Sequence, residues 1–171
     1  FEVEVKHELG CEVHTFDPTG DTTSFAKRAE ERGINFHPIG LAGCDGNIKI
    51  NNELCPVLSL SSVMKTLGHE GRHIDIFKID CEGCEYESFK SIFADIRRKK
   101  YSIGQIQVEL HGTDFDQHQV FFTDADSANF LIFHKERNHG GGLGYKAVEY
   151  SLISKDTAHS IFEHDVCMAQ F

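Results

Sequence analysis

The sequence lacks any apolar run approaching the roughly 18 residues that a membrane-crossing helix needs, and no secretory signal pattern is visible in it. It also lacks an excess of basic charge, with 17 Lys and Arg against 27 Asp and Glu and a net charge of -10. Affinity for nucleic acid or anionic lipid comes from clustered cations that neutralise phosphates, so neither nucleic acid nor membrane is an expected partner of these residues. The one basic cluster, Arg97, Arg98, Lys99 and Lys100, closes a predicted helix, where cations complement the helix dipole. Six scattered cysteines, Cys11, Cys44, Cys55, Cys81, Cys84 and Cys167, are too few for a small-domain disulfide scaffold. Cys81 and Cys84 have CxxC spacing, but a zinc site of the double-knuckle kind wants a second such pair and the sequence has none. The expectation there is buried thiols beside a glycine turn, with no metal. Internal repeats and low-complexity linkers are missing as well.

What is present is ordinary for a globular chain: 171 residues, 40% hydrophobic and 26% charged, enough for one domain over 1–171 with a real core. The chain opens on Phe1 rather than Met, so the expectation is a piece of a longer protein whose targeting or anchor segment, if any, lies upstream and whose compartment is unknown.

The organising stretch is IDIFKIDCEGCEYE, residues 74–87. Ile74–Ile79 is a near-continuous apolar run of strand length, Gly83 makes a turn, and Tyr86–Arg98 carries Tyr86, Phe89, Ile92, Phe93 and Ile96 at helical spacing. Ligands in open α/β sheets sit beyond the carboxyl ends of such strands, so Asp80 and Glu82 fall where chemistry is expected. Two acids so close push one pKa upward, which suits a base, while Glu82 or Glu85 also reads as a plain anion at a helix N-terminus.

Around this stretch the chain alternates. A helix ends at Leu9 with Gly10 as its cap, and Cys11–Phe16 is a short strand stopped by Asp17 and Pro18. Thr22 to Ser24 cap a helix over Phe25–Arg32, and Ile34–Leu41 is strand-like although Pro38 implies an edge or an early end. Residues 42–56 form a loop or hairpin carrying Asn47–Ile50, and Leu60–Leu67 is a helix. Downstream, Ile103–Leu110 is a strand whose end brings Glu109 and His111 to one face, Glu109 orienting the imidazole as a base. A weaker helix over Asp114–Phe130 precedes two strands, Phe130–Lys135 and Ala147–Ile153, predicted antiparallel because a glycine-rich loop joins them. The end of the chain, about 155–171, reads as a tail, frayed from Asp165.

This order, ending in an antiparallel hairpin, is that of a class I methyltransferase: a doubly wound, mostly parallel Rossmann-like sheet. The string FKIDCEGCEYESF resembles the KIDxEGxE segment of FkbM-type methyltransferases, and with CEVHTFDPT and QIQVELHG it resembles the methyltransferase-like protein 24 family over about Gly10–Ile153. The resemblance implies S-adenosylmethionine as cofactor and a hydroxyl of a sugar or small molecule as acceptor. It implies ribose binding for Asp17, an adenine wall at Leu41, Ala42 and Gly43, and the sulfonium end for Asp80 and Glu82, with Asp80, Glu109 and His111 as catalytic residues. The competing reading, given less weight, is that Asp17 with Pro18 only starts a turn or caps a nearby helix.

One departure goes with the resemblance. The family's first strand and glycine-rich turn should precede the first helix, and the sequence begins at or inside that helix, so the sheet is expected to miss its first strand. These residues alone are then expected to bind S-adenosylmethionine weakly or not at all, which a micromolar affinity by calorimetry would refute. Two alternatives stay open: a non-catalytic module of the same fold, in which Asp80, Glu109 and His111 would not converge, and a dinucleotide-binding oxidoreductase, which also places an acid after its second strand.

Overall fold

Gly10 stops the first helix, α1 (Glu2–Leu9), by taking the left-handed conformation at φ 67° that L side chains disfavour. The structure, a computed structural model, describes residues 1–50, 52–112, 114–138 and 147–168, with side chains as far as residue 162. It divides into two compact units, Phe1–Ser59 and Leu60–Phe171.

In the first unit β1 (His14–Phe16) leads through α2 (Thr22–Glu30) to β2 (Asn35–His37), which runs parallel to β1. The cap of α2 is Asp21, not the expected Thr22 to Ser24: its carboxylate accepts the Ser24 N–H at 3.1 Å, so the helix begins at Thr22 rather than Phe25. The single strand expected over Ile34–Leu41 is broken into β2 and β3 (Gly40–Leu41), because Pro38 has no N–H with which to carry a ladder. Then β4 (Gly46–Ile50) and β5 (Glu53–Leu58) form an antiparallel hairpin, with β3 parallel to β5 on its other side. A Cβ at Gly40 would meet Val57 Cγ1 at 3.0 Å and Pro18 Cγ at 3.1 Å, so a larger residue would have to push these side chains aside where β3 passes between β5 and the turn after β1.

The second unit starts with α3 (Leu60–Thr66), which buries Leu60, Val63 and Met64. It continues through β6 (His73–Ile79), α4 (Glu85–Arg97), β7 (Ser102–His111), α5 (Phe115–Ser127), β8 (Phe130–Arg137), β9 (Ala147–Ser154) and α6 (Lys155–Met168). Asp114 caps α5 by accepting the N–H groups of Asp116 and Gln117. The strand order is β6-β7-β9-β8, with β6 parallel to β7 and β9 antiparallel to both of its neighbours. The hairpin is therefore antiparallel as expected, and its second strand enters the sheet between β7 and the first.

The glycine-rich joining loop, residues 139–146, lies outside the described residues. Where a tail was expected, α6 forms: Ser154 Oγ accepts the Thr157 N–H at 3.1 Å and so caps its start. The ladders of the described residues comprise parallel pairs (β1/β2, β3/β5, β6/β7) and antiparallel pairs (β4/β5, β7/β9, β8/β9) alike, a mixed α/β arrangement rather than a mostly parallel one.

Register decides which face of the second sheet does what. Phe77 pairs with Ile106 and Ile79 with Val108, and Val108 with Tyr150. That face meets α4 and α5, where Phe89, Phe93 and Phe121 pack with ring centroids 5.1 to 5.6 Å apart and Phe130 lies 5.9 Å from Phe93. Alternation turns Glu109 and His111 to the opposite face, together with Asp80, the residue after β6.

Candidate functional site

The site is built where β6 gives way to α4. Ile79 is buried at 6% exposure, and the chain then turns through Glu82 at φ 56° and Gly83 at φ 122° before Cys84 caps the helix. Glycine meets that demand without strain, whereas a glutamate in the left-handed region costs about 1–2 kcal/mol and has to be held there. Cys81 and Cys84 are not the thiols expected from the sequence. They form a disulfide with Cα atoms 5.5 Å apart, closing a ring around Glu82 and Gly83. A spacing of three residues around a tight turn brings the two Cβ atoms within bonding reach, which the sequence alone does not show.

Glu85, the first residue of α4, is fully buried with 0% exposure. Its carboxylate accepts the Cys81 N–H at 3.0 Å and the Gly83 N–H at 2.9 Å, so a buried anion is satisfied by the amides of the turn in front of it. The same carboxylate lies 3.0 Å from His111 Nδ1. A carboxylate with no proton only accepts, so Nδ1 carries the hydrogen and Nε2 is the nitrogen left facing outward. Around Nε2 stand Glu82 at 3.4 Å, Glu109 at 3.6 Å and Asp80 at 3.8 Å.

The expected orienting residue was Glu109. The structure gives that position to Glu85, read from the sequence as a helix-dipole anion, while Glu109 accepts a hydrogen bond from Asn138 Nδ2 at 2.9 Å. Strand alternation makes Glu109 visible in the sequence, but a contact between a helix start and a residue 26 positions later is tertiary and has no local signature.

Four carboxylates thus share one imidazole. Burial works against the charged form of His111, but the Glu85 hydrogen bond, then the charges of Glu85, Glu82 and Asp80, outweigh it, and the pKa rises above its ordinary value. Asp80 is also raised, first by burial and then by the Glu109 and Glu82 charges, with His111 and Lys78 opposing. The neighbour anticipated from the sequence, Glu82, adds less to this rise than burial and Glu109 do. The donor atoms of Asp80, Glu82 and His111 lie within 4.8 Å of one another, close enough to grip one cation, although the two carboxylates are exposed. With a base nitrogen fixed in direction and ringed by negative charge, the arrangement can take a proton from a neighbouring hydroxyl and favours a cationic ligand.

The remaining candidates belong to the first unit. Asp17 follows β1, and its Oδ1 accepts from Thr19 N–H at 2.8 Å and from Thr19 Oγ1 at 2.6 Å, the turn-forming role that Asp before Pro suggests. Leu41, Ala42 and Gly43 are half-buried at the end of β3, with the Ala42 N–H donating to Leu58 O at 3.0 Å. They present one apolar side chain, a methyl group and bare backbone.

A family model described as a methyltransferase domain matches residues 1–154. Searches of curated proteins and of solved structures return no match.

Proposed function

The chain belongs to that methyltransferase-domain family, and on that premise we propose that it transfers a methyl group from S-adenosylmethionine to a hydroxyl of a small-molecule or glycan acceptor, with His111 as base. The observation that carries this reading is the clamp on His111, whose Nδ1 is held 3.0 Å from a fully buried glutamate while Nε2 faces Asp80, Glu82 and Glu109. The cofactor supplies a methyl group made electrophilic by a sulfonium; the chain aligns the acceptor and removes its proton.

The donor set suits such a group, since four carboxylates against one imidazole leave negative charge for a sulfonium and an ammonium. Asp80 and Glu82 serve that cationic end. Glu85 is a positioning residue that fixes the tautomer of His111, and Glu109, itself held by Asn138, stabilises the imidazolium formed when the proton arrives. The FkbM-type string FKIDCEGCEYESF supports oxygen as the acceptor atom. Within the first unit the same reading gives Asp17 to the ribose diol and Leu41, Ala42 and Gly43 to adenine. As Asp17 Oδ1 is engaged by Thr19, its second oxygen would take that hydrogen bond.

A non-catalytic module of the same fold would be expected to scatter Asp80, Glu109 and His111, whereas both acids lie within 3.8 Å of the imidazole. The test uses the protein that carries this domain, with labelled S-adenosylmethionine and a panel of hydroxyl acceptors. His111→Ala is expected to lower kcat by roughly 10²- to 10⁴-fold while leaving cofactor affinity within about threefold. Unchanged kcat removes His111 as base. Transfer confined to nitrogen or carbon acceptors rejects the hydroxyl chemistry.

A further inference from the structure

The proposed chemistry leaves unused the Cys81–Cys84 disulfide, although it closes the turn on which the site is hung. We propose that this disulfide is a reversible redox clamp, which when closed holds the turn against Glu85 and when opened by a dithiol releases the Glu85 grip on His111. It is a regulation of the site read above and rests on that reading for its effect on methyl transfer; the clamp itself rests on the geometry of the turn.

Three observations carry it. First, the ring encloses both residues of the turn with positive φ, Glu82 at 56° and Gly83 at 122°. A glutamate in that conformation relaxes unless it is held, and the covalent bond across it is the holder. Secondly, two amides of the same ring, those of Cys81 and Gly83, are the donors that satisfy the buried Glu85 carboxylate, whose Oε1 also contacts His111. An unbroken path therefore runs from the S–S bond through two hydrogen bonds to the imidazole.

Thirdly, the pair is placed for exchange. Cys84 caps a 13-residue helix, so a thiolate there meets the positive end of the dipole, and Ser88 Oγ lies 3.5 Å from its Sγ. The buried Glu85 charge beside it opposes that thiolate, but its oxygens are already engaged by two amides and an imidazole. Both cysteines are partly exposed, unlike the buried free Cys55. A bridge spanning so short a loop removes little chain entropy, so it is a weak permanent staple.

The exchange balances with a dithiol as reductant, whether small molecule or protein. One thiolate of the dithiol attacks Cys81 Sγ, the S–S bond breaks, and a mixed disulfide forms while Cys84, the better leaving group, departs as thiolate and takes a proton. The second thiol of the reagent then displaces Cys81. Two electrons and two protons have passed to the pair, and the reagent has become a disulfide.

The test compares the oxidised protein with the same protein in dithiothreitol, by thiol count, by hydrogen exchange at the Cys81 and Gly83 amides, and by methyl-transfer rate. Reduction is expected to add two reactive thiols and to speed exchange at those two amides at least about tenfold, with Phe89 and Phe93 amides within about twofold. A Cys81→Ser, Cys84→Ser double variant should show the fast exchange with or without dithiothreitol. If the folded protein gains no thiols, or gains two while both amides exchange as before, the clamp is overturned. If the amides respond and the rate falls with them, both the clamp and the catalytic reading stand. If the amides respond but neither state transfers methyl, the clamp stands and the catalytic reading falls.

Discussion

In the second unit Phe93 has 0% exposure and meets Phe89, Phe121 and Phe130, whereas the rings that meet in the first unit, Phe25 against Phe36 with centroids 6.2 Å apart and Phe16 stacked on His37 at 4.6 Å, are only half-buried. The strands differ in the same sense. β7 runs for 10 residues and is paired on both edges, while β1 and β2 have 3 residues each and β3 has 2. Long ladders over a close-packed aromatic layer fix side-chain directions to fractions of an ångström; short ladders with few buried neighbours leave them adjustable. The groups proposed for proton transfer stand on the first kind of support and those proposed for the nucleoside on the second. That division matches what each has to do, since a base needs a fixed direction and a planar ring tolerates adjustment.

The comparison is easiest to break with a truncation on each side. Phe93→Ala should lower stability by about 3–5 kcal/mol, because it removes a ring that the surrounding layer cannot collapse to replace. Phe25→Ala, at a half-buried site under Arg28, should cost about 1 kcal/mol. Denaturant midpoints, read with amide exchange in each unit, give both numbers, and equal costs would mean that the first unit is as tightly packed as the second. Next in size is Glu85→Gln. The amide oxygen can replace only one of the two carboxylate oxygens, so its NH₂ faces either the Gly83 N–H or the Cys81 N–H, and about 1–3 kcal/mol is expected to be lost. The His111 pKa should fall, because its hydrogen-bonded anion is gone. A His111 resonance titrating as before in Glu85→Gln would place the orienting role elsewhere.

The same contrast governs what can be read from the sequence. Ile74–Ile79 and the helix after it are legible because an apolar run and a spacing of three and four residues survive in any context, and β6 and α4 fall within a residue of the expected bounds. The antiparallel hairpin is legible from its loop. By contrast, β5 hides behind Pro56, which argues against a strand flanked on both sides; here Pro56 lies just outside the two residues that β3 covers, Val57 and Leu58. Asp21 is masked as a cap by the run of Thr and Ser beside it. Ser154, followed by Lys, Asp and Thr, did offer a cap signal for α6, weakened by the polar composition after it. At the site, positions were readable and partners were not: strand ends give Asp80, Glu109 and His111, but the disulfide and the Glu85–His111 contact exist only once the turn has closed.

The smallest expected effect on a global probe is the response to acid, because the two units respond with opposite signs. In the second unit the His111 pKa lies above its unfolded value, and so does that of Asp80. Each then contributes stability that is fully present below its unfolded pKa and is lost as pH rises through the folded one. In the first unit His37 lies 3.0 Å from His14, with Glu12 on the other side of His14 at 3.2 Å, and burial followed by the His14 charge holds the His37 pKa below the ordinary value. A histidine so lowered contributes stability above its unfolded pKa of about 6.5 that is lost as pH falls through the folded value. Between pH 8 and pH 5, amide protection should therefore rise around β6 and β7 and fall around β1 and β2, with the global midpoint moving little. His37→Gln should remove the loss in the first unit and leave the gain in the second. A parallel response of both units to acid would show that the carboxylate ring around His111 is no better at holding a proton than water is.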